Sequence, residues 1–86
     1  MDMADLLHRY FGTRDLDAVD AAALPDGIER MRVDFGMTQD RGARFALWTL
    51  LMVLDDAPDL GVAFTHEEDR EAARKLMDRL AAAAPE

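Results

Sequence analysis

Ten consecutive positions, Phe45 to Leu54, hold nine apolar residues and a single polar one, Thr49. A helix that is apolar on every side has to be surrounded by other protein. A membrane crossing needs about 20 such residues in a row, so this run is too short for that fate. It predicts a central core helix over about 38–55, starting at Thr38, with the rest of the chain wrapped around it.

The remaining segments read as the wrapping. Met3, Leu6, Leu7, Tyr10 and Phe11 recur at helical spacing. Asp2 is placed to cap that helix and Gly12 to end it in a left-handed conformation. A second short helix is expected from about Asp15 to Ala23, with Asp15, Asp17 and Asp20 near its positive end and Pro25 stopping it at Leu24. Asp26 and Glu29 resemble a capping box for a third helix. Ile28, Met31 and Phe35 form its apolar edge, Gly36 ends it, and Met37 is placed for the contact that accompanies such an end.

After the core helix, Asp56-Ala57-Pro58-Asp59 reads as a turn. Leu60, Val62 and Phe64 then alternate with Gly61 and Ala63. No second strand exists to pair with them, so an extended segment over the core is expected. Thr65 and Glu68 make a capping box for a last helix near 66–84. Its stripe is Ala73, Leu76, Met77, Leu80, Ala81 and Ala84, with a Glu71–Lys75 pair on its surface and Pro85 after it. The fold class is therefore all-α: a single helical domain over residues 1–86, five helices in a small orthogonal or irregular bundle. The expected core is Leu6, Leu7, Tyr10, Phe11, Leu16, Val19, Ile28, Met31, Phe35, Phe45, Leu47, Trp48, Leu50, Leu51, Leu54, Phe64, Leu76, Met77 and Leu80.

Size and charge narrow the chemistry. With 86 residues there is room for one domain of radius of gyration about 12 Å and none for an enclosed cofactor cavity of any size. The absence of cysteine removes disulfides, thiolate zinc sites and redox pairs. A net charge of −8 opposes nucleic-acid backbones and anionic lipid, which both demand displaced counterions. Met1 to Asp5 carry no basic residue, so no signal peptide is expected and the expected location is cytoplasmic. Nine Arg to one Lys with fifteen Ala is a composition associated with GC-rich bacterial genomes.

Charge is unevenly spread. Between Ile28 and Arg44 stand Arg30, Arg32, Arg41 and Arg44 against three acids. Between Asp55 and Asp69 stand six carboxylates and no cation. The core helix thus carries arginines near its N-terminus and Asp55 and Asp56 at its C-terminus, each against the helix dipole. Arg30, Arg32, Arg41, Arg44, Asp55, Asp56 and Asp59 are accordingly the candidate partner-contact charges. The plainer reading is that the two aspartates serve the turn and the arginines are solvated.

No catalytic constellation stands out. Asp55, Asp56, Asp59, His66 and Glu67 are hard ligands for a divalent ion. Aligned as a calcium loop from Asp56, however, Pro58 and Leu60 fall on ligand positions. His66-Glu67-Glu68-Asp69-Arg70 lacks the second histidine of a zincin helix. His8 reads as a surface residue. Without Ser or Cys a hydroxyl nucleophile would have to be a Thr, and Thr13, Thr38 and Thr65 all precede helices and read as caps. The glycines are isolated, so no phosphate loop forms. Leu24-Pro25-Asp26-Gly27 between two helices suggests a helix-turn-helix, but a reader of DNA should be basic.

The expected function is that of a non-enzymatic protein–protein interaction or regulatory module with no cofactor and no bound metal. The alternative is an acidic inhibitor or antitoxin-like protein occupying a partner's basic nucleic-acid site; a carboxylate enzyme is the third reading. Nucleic acid and membrane are not expected partners. Any face of the core helix that its short neighbours leave bare would serve a protein partner or a homodimer seam.

Overall fold

The computed structural model describes residues 2–83. Among them lie five α-helices and no strand: α1 (Met3–Phe11), α2 (Leu24–Met37), α3 (Arg41–Val53), α4 (Leu60–Ala63) and α5 (Glu67–Ala83). The expected all-α bundle is what forms, with α3 at its centre. α1 packs on α2 and α3, α2 packs on α3, and α5 lies against α3 and α4. Ala84 and Pro85, assigned above to the last helix and its end, lie outside the described residues.

α1 follows its sequence signals. Asp2 takes the N-cap position, although its side chain bonds to no backbone amide there, and Gly12 closes the helix at φ 74°. The helix expected from Asp15 to Ala23 does not form. Two 3-10 turns stand in its place, Leu16–Ala18 and Ala21–Ala23. Asp15 caps the first through the Asp17 amide and Asp20 caps the second through the Ala22 amide. Asp20 offers the backbone a local bond that competes with continuing the helix, which is what short acidic side chains do.

Pro25 starts a helix where a stop was expected. It is the second residue of α2, where a missing amide costs nothing because first-turn amides have no intrahelical partner. Asp26 therefore sits inside the helix and forms no capping box, and Leu24 to Gly27 are helix, not the turn of a helix-turn-helix. Gly36 does not end α2 either. The helix runs to Met37, and Thr38 terminates it, its hydroxyl donating to the Asp34 carbonyl at 2.6 Å. Met37 is 77% exposed and makes no capping contact of the expected kind.

α3 starts three residues later than expected. Asp40 is its cap, accepting from the Ala43 amide at 2.8 Å. Leu47, Trp48, Leu50 and Leu51 are buried, and Phe45, Ala46 and Met52 are packed beside them. Leu54 is the C-cap, and Asp55 after it adopts φ 63°. The Asp55 amide bonds to the Met52 carbonyl and the Asp56 amide to the Leu51 carbonyl, the paired bonds of a Schellman end.

The segment read as extended contains the single turn α4. It buries Ala63 and delivers Phe64 into the aromatic centre, 5.6 Å from Trp48, 5.7 Å from Phe45 and 6.4 Å from Phe35. The Trp48 indole donates to the Pro58 carbonyl at 3.1 Å. α5 begins at Glu67 without the Thr65–Glu68 capping box, its first backbone bonds going to the His66 carbonyl.

The molecule measures 36 × 34 × 20 Å. A helix with its side chains is about 10–12 Å across, so the thin dimension holds two layers and most helices keep an open face. That is why three expected core residues, Leu16, Met77 and Leu80, are more than 40% exposed. The core gains Ala63 and Ala73 instead, small residues where α4 and α5 come closest to it. At the α1–α2 crossing the approach is closer still: a Cβ on Gly27 would stand 2.1 Å from the Phe11 ring.

Candidate partner-binding groove

The last two turns of α2, the middle of α3 and the segment through α4 enclose an open groove of about 350 Å³. Phe35, Leu51 and Pro58 line it, Val62 stands at its edge 79% exposed, and Gly36 forms part of the α2 wall. Space beyond Gly36 is empty, since a Cβ there would meet nothing within 4 Å. Among the described residues, the charged ones lining the groove are Arg32 and Arg44.

Arg44 is fixed from several sides. Its guanidinium lies 4.1 Å over the Phe35 ring. Nη1 donates to the Phe35 carbonyl at 2.7 Å and the Thr38 carbonyl at 3.0 Å, and Nη2 donates to the Ala63 carbonyl. One side chain thereby ties the end of α2 and the end of α4 to α3. Arg32 is held by Asp56 at 2.6 Å and remains about half exposed. Its remaining N–H donors are available at the rim.

The other candidate partner-contact charges lie elsewhere. Arg30 donates to the Tyr10 carbonyl at 2.6 Å, so it serves the α1–α2 contact. Arg41 binds Asp69 at 2.9 Å and Glu68 at 3.3 Å, joining the N-terminal ends of α3 and α5. That pairing holds the Asp69 carboxyl below its ordinary range. Asp55 follows the α3 C-cap, and Asp59 stands at the start of α4, its carbonyl accepting from the Val62 and Ala63 amides. These two aspartates flank a different depression, beside Met52, Leu60 and Met77. Asp56 alone of the three acids reaches an arginine of the groove.

Among the described residues no group of three or more His, Asp or Glu converges to hold a metal ion, and Asp55, Asp56, Asp59, His66 and Glu67 are not brought together. The Arg41–Asp69 pairing also raises the Arg41 guanidinium, and Tyr10 is shifted further from its ordinary value than either partner. Burial, then its hydrogen bond to Asp34 at 2.5 Å, pushes its phenol up to about 12. Tyr10 belongs to α1, reaches α2 through Asp34, and lines no part of the groove.

Sequence reasoning picked out Arg32 and Arg44 but missed Pro58 and Val62. Their signal was weak: the segment carrying them has the alternation of a strand, and only its fold into a single turn turns Val62 outward. Comparison with protein-family models, curated proteins and solved structures finds no match for the chain.

Proposed function

We propose that this protein is a non-enzymatic interaction module whose groove takes a segment of another protein, an apolar side chain flanked by a carboxylate. The observation that carries this reading is the pairing of apolar Phe35, Leu51, Pro58 and Val62 with the half-exposed Arg32 guanidinium, which keeps donors free, while Arg44 is committed to backbone carbonyls, in a chain of net charge −8. A cationic rim on an otherwise acidic molecule selects for a local negative charge on the partner. The apolar part supplies contact area, and Arg is well suited to a forked contact with a carboxylate. The same composition speaks against catalysis there. Arginine holds its proton throughout the working pH range and performs no acid–base step.

No helix among the described residues is long and apolar enough to cross a membrane. Together with the lack of cysteine, this supports a cytoplasmic setting in which the module acts as an adaptor or regulator.

A displayed random peptide library tests the reading directly. Panning against the protein should enrich sequences with a bulky apolar residue within two positions of Asp or Glu. Those peptides should lose binding to a folded Val62→Asp variant by at least about tenfold, the scale of one desolvated contact. Peptides that bind Val62→Asp as well as the parent, or no enrichment at all, would reject it.

A further inference from the structure

We infer that α5 forms a two-fold contact with α5 of a second copy of this chain. This surface is separate from the α2–α3–α4 groove, and the inference does not depend on the function proposed for that groove. Beside α5 runs an open groove of about 530 Å³ with Phe45, Ala72 and Leu76 as its apolar lining. Glu68 and Glu71 border one end, Lys75 and Arg79 the other. Glu68, Ala72, Lys75 and Arg79 follow one another at intervals of three or four residues, so they share one helix face.

The charges are arranged as an isologous interface requires. Such an interface places the same patch on both copies, so the patch has to be complementary to itself under a two-fold rotation. Glu71 and Lys75 are centred on Ala73. Glu68 and Arg79 are centred between Ala73 and Arg74. One axis therefore relates both pairs. Two α5 helices laid antiparallel across it put Glu71 of each copy against Lys75 of the other, and Glu68 against Arg79. Ala72, small and exposed, lies beside the axis and lets the backbones approach, while Leu76 and Phe45 provide the apolar contact.

Two intramolecular explanations of the pattern fall short. The helix dipole accounts for acids in the first turn, but its effect fades within a turn of each end, and α5 has no basic residue in its last turn. Lys75 and Arg79 stand further in. Neighbouring ion pairs do not absorb these charges either. Among the described residues Lys75 and Arg79 close no ion pair, and Glu71, although four residues before Lys75, stays beyond 4 Å of it. Glu68 is approached by Arg41 at 3.3 Å yet remains 79% exposed.

α5 has 17 residues, about 25 Å of helix, which buries less than the roughly 1,600 Å² of a standard interface. The dimer is accordingly weak. Sedimentation velocity on the full chain should show the mass rising from 9.6 kDa toward twice that value between about 10 µM and about 1 mM. About 0.5 M salt should weaken the association several-fold, because the pairs are exposed. Two charge-reversed variants decide the geometry: one carries Glu68→Lys and Glu71→Lys, the other Lys75→Glu and Arg79→Glu. Each alone should stay monomeric at about 1 mM, and an equimolar mixture should associate at least as tightly as the parent. Circular dichroism confirms that each variant is folded, and the single changes Glu71→Lys and Lys75→Glu replace the doubles if one is not. A parent chain monomeric throughout, variants that dimerise like the parent, or a mixture of folded variants that stays monomeric would each overturn the inference.

Discussion

The guanidinium of Arg44 lies flat over the ring of Phe35, 4.1 Å from its centre, while its N–H groups reach carbonyls on both flanking segments. It acts as a bracket between three helices and also as one wall of the groove. Charged donors on carbonyls contribute about 1.5–3 kcal/mol each before losses to solvent. Arg44→Ala should therefore lower unfolding free energy by about 2–3 kcal/mol in urea titrations. Arg44→Lys should recover less than half of that loss, because an ammonium cannot span the fork or stack on the ring.

Asp55 holds a left-handed backbone, φ 63°, just after the Leu54 C-cap of α3. Side chains with a Cβ are disfavoured there, and a carboxylate at a helix C-terminus adds an adverse charge. Asp55→Gly should raise stability by about 0.5–1 kcal/mol, and Asp55→Val should lower it by about 1–2 kcal/mol. Thermal melts of the two variants with the parent check both signs. Equal midpoints for Gly and Val would show that the turn does not constrain this position.

Two glycines in one helix should respond oppositely to alanine. Gly27 touches Phe11 so closely that a Cβ would stand 2.1 Å from its ring, whereas Gly36 faces open space. Gly27→Ala should displace Phe11 from the α1–α2 contact and cost about 1–2 kcal/mol, the usual scale of overpacking. Gly36→Ala should gain up to about 1 kcal/mol from helix propensity alone. Chemical denaturation of both, read as midpoint shifts of opposite sign, is the measurement.

Much of this architecture is legible locally, and the failures have physical causes. The α1 stripe with Gly12 after it is a short-range signal that nothing tertiary opposes. The apolar run at Phe45 to Leu54 demands a central helix whatever surrounds it. Pro25 misleads because the same missing amide fits the first turn of a helix as well as the position after one. Thr65 and Glu68 have the right spacing for a capping box, yet Arg70 donates to the Phe64 and Thr65 carbonyls and the helix opens from His66. α4 is decided by burying Ala63 and Phe64, a tertiary demand that its alternating pattern conceals. The groove was half visible. Arg32 and Arg44 stood out as cations in an acidic chain, but no local rule places Arg32 on Asp56, twenty-four residues away.

Tyr10 is the chain's single tyrosine, so its ionisation is read without overlap from another phenol. Its folded value of about 12 lies above the ordinary 10.0, which means that the folded state holds the proton more tightly. The resulting stability is present in full below pH 10 and is lost as pH rises through 12. Absorbance titration near 295 nm should give a midpoint close to 12 for the native protein and 10 in urea. Asp34→Asn should bring the native midpoint down while leaving it above 10, since burial remains. A native midpoint at 10 would show that the phenol is not enclosed.

The stretch between α1 and α2 is stitched by the side chains of Asp15 and Asp20 and contributes no buried residue from either of its 3-10 turns. Neither groove draws on it, as the lowest-numbered residue lining either one is Arg32. The molecule thus comes with a natural attachment point. A fluorophore or an immobilisation handle attached at exposed Asp17 leaves both grooves clear and turns the domain into a reporter of what it meets.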